Sequence, residues 1–270
     1  MLSVIENIHK CSQSGRDKIS LSFDRIFLLS ILAGVYIAFA AAVSSTAAFG
    51  IQDAGLARLV TGLIFPFGLG MVMLCGAEIF TGNCLIVISV LERTVKLRSM
   101  LCNWSKVYIF NLIGAMLIAA ACVFLGQLNY GDGALAVYTI QIAVAKCSLP
   151  FASAVVFGIL CNILVCTGII SALASTDNVG RIVCTYIPVA FFVICGFEHS
   201  IANMFYIPAG LFAIMKPEYA ALALNAGIDV SGLTWGAFFL QNLLPVTLGN
   251  MIGGVGFGIL MWRSYRRFAT

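Results

Sequence analysis

Long apolar stretches alternate with short polar breaks along this chain, near residues 26–50, 59–91, 107–125, 150–174, 182–214 and 235–262. A membrane-spanning helix needs about 20 apolar residues, so the pattern predicts an all-α integral membrane protein with six transmembrane helices. Two of the stretches carry a polar interruption, at 76–83 and at 196–203. The first reads Gly76-Ala-Glu-Ile-Phe-Thr-Gly-Asn83 and the second Gly196-Phe-Glu-His-Ser-Ile-Ala-Asn203, each preceded by a cysteine, Cys75 or Cys195. From Glu78 to Glu198 the offset is 120 residues. A carboxylate at membrane depth is costly and usually faces the protein interior or a water-filled path. Paired, glycine-interrupted segments in corresponding halves point to a transporter's central site. The second and fifth helices are therefore expected to be broken in mid-membrane.

The duplication extends beyond this motif. Phe27-Leu-Leu-Ser-Ile-Leu-Ala-Gly34 resembles Phe151-Ala-Ser-Ala-Val-Val-Phe-Gly158, and Asn111-x-x-Gly114 matches Asn250-x-x-Gly253. Residues 26–125 and 150–262 are thus candidate repeats within one transmembrane domain, 26–262. Three crossings is an odd number, so the second copy enters from the opposite face and the repeat is inverted. Residues 1–25 form an N-terminal segment and 263–270 a C-terminal tail. Val4, Ile5, Ile8 and Cys11 share one helical face, which suggests a short helix on the inner membrane surface; a plain tail is the alternative. The apolar stretch 134–145 is too short to span and is expected at the outer surface.

Composition agrees with the pattern. Hydrophobic residues make up 61% and charged residues 10% of the 270, with a mean hydropathy of +1.04; soluble domains are about 25% charged. Lys10, Arg16, Lys18, Arg25, Arg93, Lys96, Arg98, Lys106, Arg181, Arg263, Arg266 and Arg267 fall on the faces shared with the termini, and only Arg58, Lys146 and Lys216 on the other. By the positive-inside rule both termini are cytoplasmic, in a multi-pass protein of the cell (inner) membrane. The net charge of +4 reflects this asymmetry and calls for no nucleic-acid partner. The first 25 residues are too polar and too long for a signal-peptide n-region. Ten cysteines with no C-x-x-C spacing suggest packing residues rather than a disulfide framework or metal site. Without a metal-ligand cluster, nucleophile elbow or phosphate loop, the chain reads as no enzyme and as needing no cofactor.

The breaks concentrate the candidate chemistry. A helix that restarts in mid-membrane exposes N–H groups that attract anions, here expected at 82–84 and 200–203. His199 is the one histidine in the apolar stretches, and Glu198 beside it could accept a hydrogen bond or hold the backbone of the break. A lone buried histidine is usually a satisfied interior group; the adjacent carboxylate and the break favour a role in proton handling. Thr81 offers a hydroxyl in the first break. Lys146, placed at the outer end of the fourth span, reads by itself as a snorkelling lysine in preference to a path residue. Asn162 is sixteen residues on, about 24 Å along an ideal helix. Glu78 and Glu198 are expected to tie up freed backbone N–H groups. Phe65, Leu69, Phe80 and Phe192 are core side chains or hydrophobic constrictions flanking His199.

Glu78-Ile-Phe-Thr-Gly-Asn83, Ala145-Lys-Cys-Ser-Leu-Pro150, Gly158-Ile-Leu-Cys-Asn-Ile-Leu-Val-Cys166, Glu198-His-Ser-Ile-Ala-Asn-Met204 and Val246-Thr-Leu-Gly-Asn250 together resemble the signatures of the formate/nitrite transporter family. The resemblance implies an aquaporin-like fold of six helices with the second and fifth broken, assembled as a homopentamer in the lipid bilayer with one path per protomer. It implies Thr81 in a mobile loop, Lys146 and Asn162 as polar groups near the path, and His199 at its centre. Positions matching the constrictions are Phe65, Leu69, Ile79, Phe80, Val165, Phe192 and Asn250, with Ile79 where leucine is commoner. The implied cargo is a small monovalent anion of a weak acid, formate first, then nitrite or hydrosulfide. Protonation near His199 would let the neutral acid cross. A neutral-solute channel is the runner-up, although its paired Asn-Pro-Ala motifs are absent.

Overall fold

A computed structural model describes residues 3–265; Arg266, Arg267 and the rest of the expected tail from 266 on lie outside the described residues. Every regular element among the described residues is helical. The chain runs α1 (Val4–Ser20), α2 (Phe23–Ala48), α3 (Ala54–Ile64), α4 (Phe67–Leu74), α5 (Phe80–Asn83), α6 (Val87–Leu91) and α7 (Leu97–Phe124). It continues through α8 (Ala134–Cys147), α9 (Phe151–Ala174), α10 (Asn178–Cys195), α11 (Ser200–Ile214), α12 (Pro217–Asn225), a π-helical turn over Ala237–Leu243, and α13 (Leu244–Tyr265). Six helical segments are long and apolar enough to cross a membrane: Phe23–Ala48, Ala54–Leu74, Leu97–Phe124, Phe151–Ala174, Asn178–Cys195 and Ala237–Tyr265. The protein is thus an all-helical, multi-pass membrane protein.

Two of those segments, Ala54–Leu74 and Asn178–Cys195, stop at the motif glycines. Gly76 and Gly196 take φ of 65° and 72°, a left-handed conformation that costs a residue with a Cβ about 1–2 kcal/mol. The following N–H groups, of Ala77 and Phe197, return to Val72 O and Phe192 O, both at 2.9 Å, closing each helix as glycine caps do. Ile79 and His199 are then extended, and helix resumes at Phe80 and Ser200. The non-helical residues are fewer than 76–83: Thr81, Gly82 and Asn83 already belong to α5, so the first helical restart comes at Phe80 rather than at 82–84.

Two other segments take definite form. The N-terminal segment is a helix rather than a plain tail, with Ile8 and Cys11 buried. A capping box between Ser3 and Glu6 opens α1, and its Asn7 and Lys10 donate to Ile170 O and Leu173 O, each at 2.7 Å. It therefore packs onto the end of α9. The stretch 134–145 is helix α8, buried along Leu135, Ala136, Thr139, Ile140 and Ala143. Lys146 belongs to α8, because α9 begins only at Phe151.

Glycines set the closest helix contacts. A Cβ on Gly114 would sit 2.2 Å from Ile31 O, and one on Gly253 2.3 Å from Ile159 O. Backbone touching backbone is how helices associate where lipid removes the hydrophobic drive.

Candidate functional site

Buried chain that leaves a helix must satisfy its backbone groups within the protein. Two asparagines do this. Asn111 Oδ1 accepts from Phe80 N at 3.0 Å, while its Nδ2 donates to Ser30 O at 2.7 Å and Glu78 O at 2.9 Å. Asn250 Oδ1 accepts from Ser200 N at 2.9 Å, and its Nδ2 donates to Gly158 O at 2.8 Å and Glu198 O at 3.0 Å. Glu78 N and Glu198 N reach Leu29 O and Phe157 O. The two breaks are held by the same set of bonds.

The carboxylates have a different task from the one expected of them. Glu78 pairs with Lys18 at 2.6 Å and accepts from Asn83 Nδ2 at 2.8 Å. Glu198 pairs with Lys146 at 2.9 and 3.0 Å and accepts from Asn203 Nδ2 at 2.6 Å. Among the described residues neither accepts a backbone N–H, and Glu198 does not bond His199. Each asparagine passes on to another, Asn83 to Asn103 at 2.9 Å and Asn203 to Asn242 at 2.7 Å. The partners fix the register of the duplication. Lys18 corresponds to Lys146 and Leu29 to Phe157, an offset of 128, whereas aligning Phe27 with Phe151 gives 124.

His199 caps α11, its Nδ1 accepting from Ala202 N at 3.2 Å, and its Nε2 lies 3.0 Å from Thr81 Oγ1. An imidazole nitrogen that accepts an N–H carries no proton, which assigns the neutral tautomer with Nε2–H directed at Thr81. Phe192 stacks on the ring with centroids 5.8 Å apart, and Phe65 meets Phe192 edge-on at 6.2 Å.

Two cavities approach this pair. One, of about 400 Å³, is lined by Arg58, Phe65, Tyr138, Lys146, Phe192, Glu198, His199 and Tyr206. The other, of about 340 Å³, is lined by Asp17, Lys18, Arg25, Glu78, Ile79, Gly82 and Asn83. They share no lining residue: Ile79 lines the second, and His199, which meets Thr81, lines the first. Volume alone does not identify the site: a larger groove, of about 510 Å³, lies apart from the buried polar groups, beside His9 and Trp262.

The structure brings Thr81, Lys146, Glu198 and His199 together, with Phe65 and Phe192 beside them and Ile79 on the other side. Leu69, Phe80, Val165, Asn162 and Asn250 are buried but line neither cavity. Phe80 packs edge-on against Tyr108 and Trp104, at 4.9 and 6.0 Å. Asn162 ties Thr81 O and Asn250 O together, at 3.3 and 2.6 Å. Asn250 is a cross-link whose polar atoms are all engaged.

Sequence reasoning missed Lys18, Asn103, Asn242 and Arg58 as site residues. Asn103 and Asn242 each stand eight residues before the repeated Asn-x-x-Gly, a spacing that would have revealed them. Arg58 makes no ion pair among the described residues. Lys146, in the same cavity, is already neutralised.

Helices long and apolar enough to cross a membrane, around two polar-lined cavities, fit a channel or transporter. Residues 5–263 match the family described as formate/nitrite transporter. A "probable formate transporter" of Methanothermobacter thermautotrophicus is 36% identical over 94% of this chain and 94% of its own. The formate channel FocA of Escherichia coli K12 is also 36% identical, over 90% of this chain and 87% of its own. Among solved structures, a pentameric formate channel with formate bound superposes with a TM-score of 0.81 at 30% identity, covering 91% of this chain and 98% of that one. The chain belongs to the formate/nitrite transporter family.

Proposed function

We propose that this protein carries formate, as a proton-linked small anion, through one path in each protomer of a homopentamer in the cell's inner membrane, with both termini cytoplasmic. In this reading α3–α6 and α10–α11 are the broken second and fifth spans of an inverted three-plus-three repeat. The matched bonds of Asn111 and Asn250, and of the Lys18–Glu78 and Lys146–Glu198 pairs, support it. The relatives named as formate channels, and the formate-bound pentamer, support the cargo and the assembly.

The observation that carries the mechanism is the His199–Thr81 pair, 3.0 Å apart, in a closed neck between two charged cavities. A bare anion crossing such a neck faces an idealised desolvation cost on the order of 20 kcal/mol. Taking up one proton gives formic acid, which has far less to desolvate, so net transport is formate plus a proton. Arg58 is the uncompensated cation of the outer cavity and gathers the anion there. His199 Nε2–H and Thr81 supply donor and acceptor for the neutral acid in the neck. On this geometry His199 orients the cargo or its water, because a donor that also accepts Ala202 N–H has no acidic proton to give. The acid releases its proton in the opposite cavity.

Formate uptake into proteoliposomes, competed with nitrite and hydrosulfide across pH, tests the reading. The expected result is uptake that rises as pH falls, competition by the other two anions, and internal acidification during uptake. Uptake indifferent to pH would reject proton linkage.

A further inference from the structure

The matched asparagines part company at one atom. Asn242 Nδ2 donates to Lys146 O at 2.9 Å, but Nδ2 of its counterpart Asn103, 3% exposed, has no partner among the described residues. Where the outer half has a carbonyl, the inner half has a cavity of about 300 Å³, lined by Asn103 with Arg98, Ser99, Lys106, Ile19 and Ile26. Neither Arg98 nor Lys106 has a carboxylate within ion-pair distance among the described residues; Lys106 lies 5.9 Å over the Phe23 ring. Arg98 and Ser99 stand in the first turn of α7, whose leading N–H groups favour negative charge.

Two cations without a carboxylate partner, a helix start and a residue with an unpartnered amide donor line one hollow, so its ligand is an anion with several acceptor oxygens. The rim decides the source. Phe23, Leu97, Leu101 and Ile109 are exposed around it, at 58%, 57%, 46% and 53%, an apolar border suited to acyl chains rather than to a soluble phosphate. Under the positive-inside rule the start of α7 lies at the cytoplasmic leaflet, where basic hollows between helices hold anionic headgroups. We propose that this cavity binds the phosphate of an anionic phospholipid, with Arg98 and Lys106 supplying charge and Asn103 Nδ2–H donating to a phosphate oxygen.

The test is lipid retention by the purified full-length protein, read by native mass spectrometry. Phosphatidylglycerol and phosphatidylcholine with the same acyl chains are compared, and glycerol 3-phosphate serves as the chain-free headgroup. Each basic residue near an anionic lipid contributes about a fivefold preference, so wild type should retain phosphatidylglycerol roughly tenfold or more over phosphatidylcholine. The double variant Arg98→Gln/Lys106→Gln should lose that preference while its formate uptake in phosphatidylcholine liposomes stays at the wild-type rate, which shows that it is folded. Asn103→Asp keeps the acceptor that Asn83 uses but sets a carboxylate against the phosphate, and it should weaken retention further than Asn103→Gln. Equal retention of both lipids by wild type, undiminished preference in the double variant, or displacement of phosphatidylglycerol by glycerol 3-phosphate would overturn the assignment.

Discussion

His199 shows how much a single side chain's hydrogen bonds constrain its chemistry. It caps α11 through Nδ1 and faces Thr81 through Nε2. An asparagine can do both, since its Oδ1 is a good N-cap acceptor and its Nδ2 a donor. His199→Asn is therefore expected to keep pH-dependent formate uptake within a few-fold of wild type. His199→Phe, which leaves the helix start uncapped and Thr81 unpaired, should abolish it. Proteoliposome uptake at several pH values separates the two variants, and loss of pH dependence in His199→Asn would restore the histidine as proton donor. Arg58 permits an independent check on recruitment. Arg58→Gln should raise the KM for formate several-fold while leaving maximal uptake near wild type, and the difference should shrink as salt screens the charge. Lys146 should behave otherwise. Removing it strands the buried Glu198 carboxylate, and breaking a buried pair costs about 3–5 kcal/mol, so Lys146→Gln should lower thermal stability. Adding Glu198→Gln should recover much of that loss.

Between helices, the breaks rest on glycine caps and asparagine cross-links rather than on side-chain packing. Gly76 and Gly196 share a left-handed backbone, but their surroundings differ. A Cβ on Gly76 meets nothing within 4 Å, while one on Gly196 would lie 2.5 Å from Arg58 Nη1. Gly76→Ala should then cost only backbone strain, about 1–2 kcal/mol. Gly196→Ala should lower the melting temperature further and also weaken formate uptake by moving Arg58; differential scanning fluorimetry alongside uptake reads both. These helices were legible in the sequence to different degrees. The long spans follow from apolar length, and the breaks from the repeated Gly-x-Glu. Helix α8 was not legible as a site element, because an apolar run of 14 residues looks alike whether it lies on a membrane or packs on α11. The hub role of Asn111 and Asn250 was half visible. Their repetition marked them, but nothing in a linear sequence says that Phe80 and Ser200 would donate to them. Glu78 and Glu198 misled for the same reason: a carboxylate near free N–H groups is an obvious acceptor until distant lysines reach it first.

Within one chain, Thr81 meets His199 at 3.0 Å, so both groups of the proposed neck come from the same protomer. The duplication explains why. Each half supplies one break, one lysine–glutamate pair and one asparagine hub, and the neck forms where Thr81 of one half meets His199 of the other. With both groups of the neck in one chain, the protomers of the proposed pentamer should conduct independently. Co-assembling wild-type chains with inactive His199→Phe chains at known ratios makes this measurable. If each path works alone, formate uptake per pentamer falls linearly with the fraction of variant chains. If one inactive chain silenced its neighbours, uptake would fall roughly as the fifth power of the wild-type fraction. The linear outcome follows from a path closed by contacts within the chain, as the 3.0 Å His199–Thr81 contact is. A steeper fall would mean that the neck opens only through a motion shared across protomers.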